Sequence, residues 1–240
     1  MRNGKVYIVG AGPGPVDLLT IKAHKVISEA EVILYDALIS KEVRGLFPVQ
    51  AEQIFVGKRA GDGRDVQLRQ QSIHQKMLRY SLEGKMVVRV KSGDPMIFSR
   101  GAEETSFLKD NNIPFEVIPG ISAVNAAAAE FGIALTDRRG TNSLHLLSGT
   151  DVSGKPLNAQ HLSDILEKRG TAVIYMGTKV LEKISGAFEK NQRDSIFATI
   201  VSRAGHPDSC ILTGKLDEVV IKHAESPLKT PALIFLKKVV

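Results

Sequence analysis

A carboxylate at the end of a β-strand can move a proton. Asp36, in Tyr35-Asp36-Ala37-Leu38-Ile39-Ser40, directly follows the apolar run Glu31–Tyr35. Lys58 and Arg59, in Val56-Gly57-Lys58-Arg59-Ala60-Gly61, follow the run Ile54–Val56 and set two cations between glycines. That pattern describes a tight loop presenting charge. A third segment runs from Val88 through Ser92-Gly93-Asp94-Pro95 and Met96-Ile97-Phe98 to Arg100-Gly101-Ala102-Glu103-Glu104. A carboxylate there, beside loop amides, can hold a hydroxyl- or amine-bearing ligand, while Glu103 and Glu104 complement a helix dipole. Pro119-Gly120-Ile121-Ser122-Ala123 is a further strand-to-helix turn, and Tyr175-Met176-Gly177-Thr178 ends a strand in the second half. Met176 there can line an apolar pocket. Each motif also has a plain structural use: Asp36 and Ser122 as caps, the cations as solvated surface, Met176 as core filler.

Gly10-Ala11-Gly12-Pro13-Gly14 follows the run Val6–Val9 and lets backbone approach a ligand closely. With Asp36 ending the next strand, it imitates a dinucleotide fingerprint. The imitation fails in detail. The third glycine would fall at Pro15, and Pro13 removes an N–H from the phosphate cradle. An NAD or FAD site is therefore disfavoured.

The elements that must position these residues alternate along the chain. Apolar runs Val6–Val9, Glu31–Tyr35, Ile54–Val56, Met86–Val90 and Phe115–Ile118 are separated by helical patterns at Thr20–Glu29, Asp65–Leu82 and Gly101–Asn111. Such alternation predicts α/β layers around a mostly parallel sheet. In the second half, strands are expected at Ser143–Leu147, Thr171–Tyr175, Ser195–Val201, Cys210–Thr213 and Ala232–Leu236, and helices at Leu157–Lys168 and Lys179–Lys190. Clustered turn residues at Gly132–Asn142 divide the chain into domains 1–134 and 135–240.

Composition narrows the function classes. Hydrophobic residues at 43% and charged residues at 24% of 240 exclude a disordered or collagen-like chain. The single cysteine, Cys210, excludes an intrachain disulfide and a multi-cysteine zinc site, which suits a reducing cytoplasm. No apolar stretch reaches the ~18 residues of a membrane span, and the N-terminal run is too short for a signal peptide. The net charge of +6 calls for an anionic partner: nucleic acid, a membrane surface or a polyanionic small molecule.

Taken together, these motifs resemble the tetrapyrrole methylase family. Its carriers, in order, are Gly10–Thr20, Tyr35–Ser40, Val56–Gly61, Val87–Glu104, Pro119–Ala123, Gly132–Arg138, Tyr175–Gly177 and Thr230–Phe235. The resemblance implies two α/β domains with S-adenosylmethionine in the cleft between them, and a homodimer. It assigns cofactor contacts to Pro13, Ser92, Gly93, Asp94, Ile97, Ser122, Ala123, Met176, Gly205 and Ala232. Asp36 matches the proton acceptor and Lys58 the proton donor. The implied reaction is C-methylation of uroporphyrinogen III to precorrin-2, without a metal and with S-adenosylhomocysteine released. For the polycarboxylate substrate, Arg59, Arg89, Arg100 and Arg138 are the candidate ligands, because guanidinium matches carboxylate geometry.

The sequence departs from the family pattern at several places. Ser92 and Ser99 stand where glycine is usual, Asp137 and Thr150 where histidine is usual. If position 92 required a positive φ, its side chain would cost on the order of 1–2 kcal/mol. Alternatives are a methylase acting on a later precorrin, an RNA methyltransferase of the same fold, and a nucleotide-binding module without catalysis. Aromatics at 5%, with no tryptophan, leave little for base stacking and argue against the RNA reading.

Overall fold

A computed structural model describes residues 3–58, 65–151 and 153–238. The chain divides into two compact units, Met1–Ala123 and Val124–Val240. This division lies upstream of the turn-rich segment at Gly132–Asn142.

In the first unit, β1 (Val6–Gly10), β2 (Val32–Tyr35), β3 (Glu52–Phe55), β4 (Val87–Lys91) and β5 (Phe115–Ile118) form one sheet in the order β3-β2-β4-β1-β5. Every pairing is parallel. Its inner strands β1, β2 and β4 are β-branched and buried on both faces, as a helix-covered parallel sheet requires, while the edge strands β3 and β5 are partly exposed. Alternation along each strand separates two cores. Val9, Ile33, Val88 and Val90 face one way, towards α1 (Ile21–Ser28) and α2 (Lys41–Gly45). Val6, Ile8, Val32, Leu34 and Val87 face the other, where Ile73 and Met77 of α3 (Val66–Leu82) and Leu108 of α4 (Gly101–Asp110) pack. Side-chain caps start three of these helices: Thr20 accepts the Ala23 amide, Ser40 that of Val43, and Asp65 those of Gln67 and Leu68.

Strand register aligns the carboxyl ends. Gly10 pairs with Lys91, Tyr35 with Val90 and with Phe55, and Val9 with Ile118. The loops that follow therefore leave from one edge, where open parallel sheets bind ligands.

The second unit carries α5 (Ala123–Glu130), of which Val124 onward belongs to it, and a sheet in the order β6-β7-β10-β8-β9. Its strands are β6 (Leu144–Ser148), β7 (Thr171–Tyr175), β8 (Ile196–Ser202), β9 (Cys210–Lys215) and β10 (Ala232–Lys238). Only β6 and β7 run parallel; β10 is antiparallel to β7 and β8, and β9 to β8. The parallel expectation, drawn from the first half of the chain, thus holds for the first sheet, and the second sheet is mixed. There, β8 and β9 are joined by a short turn, which only antiparallel neighbours allow. One sheet face packs against α6 (Ala159–Glu167), α7 (Leu181–Gly186) and α9 (Leu216–Glu225) through Leu162, Ile184 and Val219. The helix expected over Lys179–Lys190 is broken. A 3-10 turn precedes α7, and Glu189 opens α8 (Lys190–Asp194) with a capping box that starts the chain afresh.

Candidate active site

Three loops at the edge of the first sheet are stitched together by backbone. Gly93 donates to the Gly12 carbonyl at 2.7 Å and Gly12 returns a bond to Gly93 at 3.2 Å. A Cβ on Gly10 would lie 2.6 Å from the Gly120 nitrogen and 2.7 Å from the Gly93 oxygen, so only glycine permits this approach. Asp94 completes the junction. One carboxylate oxygen accepts the Met96 amide at 2.8 Å and the other the Gly120 amide at 3.1 Å. Asp94 thus has an internal task, holding the loop after β4 against the loop after β5. Ser92 does not adopt a positive φ; the left-handed residue is Gly93, at +68°. The serine at position 92 therefore carries no backbone penalty.

Beyond Asp94 the loop presents apolar side chains. Met96 is 53% and Phe98 43% exposed, with Ile97 half-buried between them. Phe98 (φ 48°) and Arg100 (φ 61°) are both left-handed without being glycine. Such residues cost about 1–3 kcal/mol each and cluster at ligand-binding sites.

Asp36 leaves β2 at the same edge, its side chain 30% exposed. From beneath, Arg89 Nη2 donates to both Asp36 oxygens, at 2.9 and 2.7 Å. Arg89 Nε donates to Glu104 Oε1 at 3.1 Å, and Nη1 to the Val90 carbonyl at 3.1 Å. Lys91 Nζ reaches the same Glu104 oxygen at 2.9 Å, and Gln70 Nε2 at 3.3 Å. Burial opposes the Arg89 charge, but the Asp36 and Glu104 carboxylates outweigh it and hold its pKa above the ordinary value. Burial likewise pushes Glu104 upward, yet Arg89 and Lys91 prevail and keep it below the usual carboxylate range. Burial, with Arg89 adding to it, lowers Lys91.

This corrects the expectation for Arg89. Its guanidinium is buried and engaged within the protein, so it is not offered to a substrate carboxylate. The sequence also credited Glu104 only to the helix dipole. The missed signal is Arg89 and Lys91 two residues apart in a buried strand, on one face, which demands an acid opposite.

The other predicted cations differ. Arg100 pairs with Glu103 at 2.6 Å and donates to Gln67 at 3.2 Å, but keeps part of its surface exposed. Arg138 is exposed. Arg59 lies outside the described residues. Lys58 is exposed, on a loop adjoining that of Asp36: a Cβ on Gly57 would lie 2.4 Å from the Ala37 nitrogen. Pro13, Ser92, Gly93, Ile97 and Ser122 lie on the stitched loops at this edge, and Ala123 opens α5 directly after them.

In the second unit, register brings the remaining predicted contacts to one sheet edge. Tyr175 pairs with Leu233 and Ser202 with Ala232, so Met176, Ala232 and the turn through Gly205 are neighbours there. Met176 is left-handed (φ 55°) and 60% exposed. Gly205 (φ +81°) donates its amide to Glu130 Oε2 at 2.8 Å. No described helix is long and apolar enough to cross a membrane.

Residues 5–220 match the model of the Tetrapyrrole (Corrin/Porphyrin) Methylases. The chain belongs to the tetrapyrrole methylase family. A siroheme synthase of Psychrobacter cryohalolentis is 40% identical over 238 residues, covering 99% of this chain and 45% of the relative. The porphyrin biosynthesis protein HemD of Ruminiclostridium josui is 37% identical over 240 residues, covering 100% of this chain and 47% of its own length. The chain thus spans about half the length of these relatives. Among solved methylases, a uroporphyrin-III C-methyltransferase from Thermus thermophilus complexed with S-adenyl homocysteine superposes with TM-score 0.79 at 32% identity. It covers 98% of this chain and 97% of that one. A cobalt precorrin-4 methyltransferase gives TM-score 0.81 at 26% identity, covering 97% and 94%.

Proposed function

We propose that the protein is an S-adenosylmethionine-dependent uroporphyrinogen-III C-methyltransferase. It places methyl groups on two ring positions in sequence, giving precorrin-2 by way of precorrin-1 for sirohaem or cobalamin synthesis. The observation that carries this reading is the nearly end-to-end match to the Thermus thermophilus methyltransferase complexed with S-adenyl homocysteine.

The residues present suit such a cofactor. A Cβ built on Gly93 would meet only the Ala123 nitrogen within 4 Å, at 3.9 Å, so this bend is open on one side. Met96, Ile97 and Phe98 supply apolar surface beside it. Pro13, Ser92, Gly93, Asp94, Ile97, Ser122 and Ala123, with Met176, Gly205 and Ala232, would hold it. When bound, S-adenosylmethionine supplies an electrophilic methyl group on a sulfonium. The pyrrole carbon that receives it is already electron-rich, so the protein's main work is alignment, which can contribute about 7–11 kcal/mol. The methylated macrocycle then has to lose a proton. Asp36 accepts it, and Lys58 is the charged neighbour or donor; such groups typically give 10²–10⁴-fold, to order of magnitude. Arg59, Arg100 and Arg138 are the arginines proposed for the substrate carboxylates. The active form is a cytoplasmic homodimer that needs no metal.

A second reading, methylation of a later precorrin, draws support from the TM-score of 0.81 to the cobalt precorrin-4 enzyme. Its lower identity ranks it behind. The test is to incubate the protein with S-adenosylmethionine and anaerobic uroporphyrinogen III and weigh the product. A gain of two methyl groups is expected. An unchanged tetrapyrrole, with methylation of a later precorrin instead, would establish the second reading.

A further inference from the structure

We propose that Arg89 is a positioning residue for the Asp36 carboxylate, and that Glu104 fixes the Arg89 guanidinium in the orientation this requires. The inference rests on the acid–base role proposed for Asp36.

Arg89 spans two environments. Its side chain is 2% exposed, whereas that of Asp36 is 30% exposed at the loop edge. A guanidinium is planar and rigid, so fixing one end sets the other. Glu104 takes the Nε end at 3.1 Å, and the Val90 and Leu34 carbonyls take Nη1 at 3.1 and 3.4 Å. Nη2 is thereby aimed at Asp36 and meets both of its oxygens. The Asp36 loop alone does not impose this orientation; a strand 53 residues away does.

Folding does not account for the arrangement. Four charged groups, Asp36, Arg89, Lys91 and Glu104, meet at and below one strand end. Buried ion pairs are often no more stable than apolar residues of the same volume. Glu104 Oε2 is also buried with no hydrogen-bond partner among the described residues, a further cost to stability. A carboxylate that must stay charged, oriented and open on one side supplies the reason. Among the described residues, α3 adds Gln70, and His74 within 3.1 Å of Gln70, to this cluster, and Lys58 lies on the loop adjoining that of Asp36. His74 stacks on Phe107, and burial lowers its pKa, with Glu104 and Glu103 opposing.

The test uses the full chain with S-adenosylmethionine and anaerobic uroporphyrinogen III, comparing Asp36→Asn, Arg89→Gln, Arg89→Lys and Glu104→Gln. Arg89→Gln is expected to lower kcat roughly 10–100-fold while the tetrapyrrole KM and the cofactor Kd stay at the wild-type values. Arg89→Lys keeps the charge but not the fork, and its kcat stays reduced. Glu104→Gln, which weakens the hold on Nε, lowers kcat in the same direction. A folded Arg89→Gln protein with wild-type kcat, or with kcat lowered only in step with a raised KM, overturns the proposal, even if its Tm falls. Where Arg89→Gln does not fold, wild-type kcat in Arg89→Lys overturns it instead. If Asp36→Asn itself retains full turnover, the acid–base role of Asp36 fails, and this inference with it. Loss of turnover in Asp36→Asn alone would sink only the positioning role.

Discussion

Asp94 accepts the Gly120 amide at 3.1 Å and so ties the loop after β4 to the loop after β5 across the intervening strand β1. The loop segments bearing Ile97, Ser122 and Ala123 begin at this junction. Asp94→Ala removes two charge-assisted hydrogen bonds, to Met96 and Gly120. We expect a stability loss of about 1.5–3 kcal/mol in urea unfolding. Calorimetric titration with S-adenosylmethionine should show weakened binding. Unchanged affinity in a destabilised protein would confine Asp94 to folding.

Gly101 opens α4 against the preceding turn. A Cβ there would lie 2.1 Å from the Pro95 carbonyl oxygen, a backbone atom with little room to move. Gly101→Ala should lower Tm sharply and reduce folded yield. Gly45, at the end of α2, is the control, since a Cβ there meets nothing within 4 Å. Gly45→Ala should stabilise by about 0.4–1 kcal/mol through the unfolded chain.

Glu116 receives Lys22 and Lys5, and those hydrogen bonds hold its pKa at about 2 against an ordinary 4.5. A carboxylate depressed in the folded state stabilises fully above its unfolded pKa. That contribution is lost as pH falls from about 4.5 through about 2. Asp137, held at about 2 by Arg139, acts in the same direction, its contribution being lost from about 3.8 through about 2. Glu116→Gln should therefore flatten the acid side of the stability profile and leave its slope around neutral pH unchanged. Urea unfolding at a series of pH values checks this.

Met176 carries a left-handed backbone (φ 55°) that glycine adopts without strain. Met176→Gly should raise stability by about 1 kcal/mol. It should also weaken S-adenosylmethionine binding, because the exposed thioether is a proposed cofactor contact. Higher Tm with full affinity would remove Met176 from the binding set.

Much of this architecture was legible from residue order alone. Short apolar, β-branched runs marked the ten strands found among the described residues, because strand preference is largely local. Gly-rich and Asp-bearing turns after those runs marked the sheet edge that carries the candidate site, since strand exits need glycine, proline or aspartate wherever they fold. Asp36, Ser92, Gly93 and Asp94 were singled out as candidates in this way. The five-residue α2 and the break between α7 and α8 were not, because such short helices complete barely one helical period.

Only the tertiary structure decided what the charged residues do. Arg89, Arg100 and Arg138 look alike in sequence, yet Arg89 is sealed beneath a sheet while Arg138 is exposed. The difference arises from strand order. Placing β4 between β2 and β1 brings Arg89 under Asp36, 53 residues earlier, and across from Glu104, 15 residues later. The strand order of the first sheet and the mixed pairing of the second were settled in the same way, by pairings between distant segments. Local periodicity tells which face of a strand is buried; which neighbour lies against that face depends on how the whole chain closes.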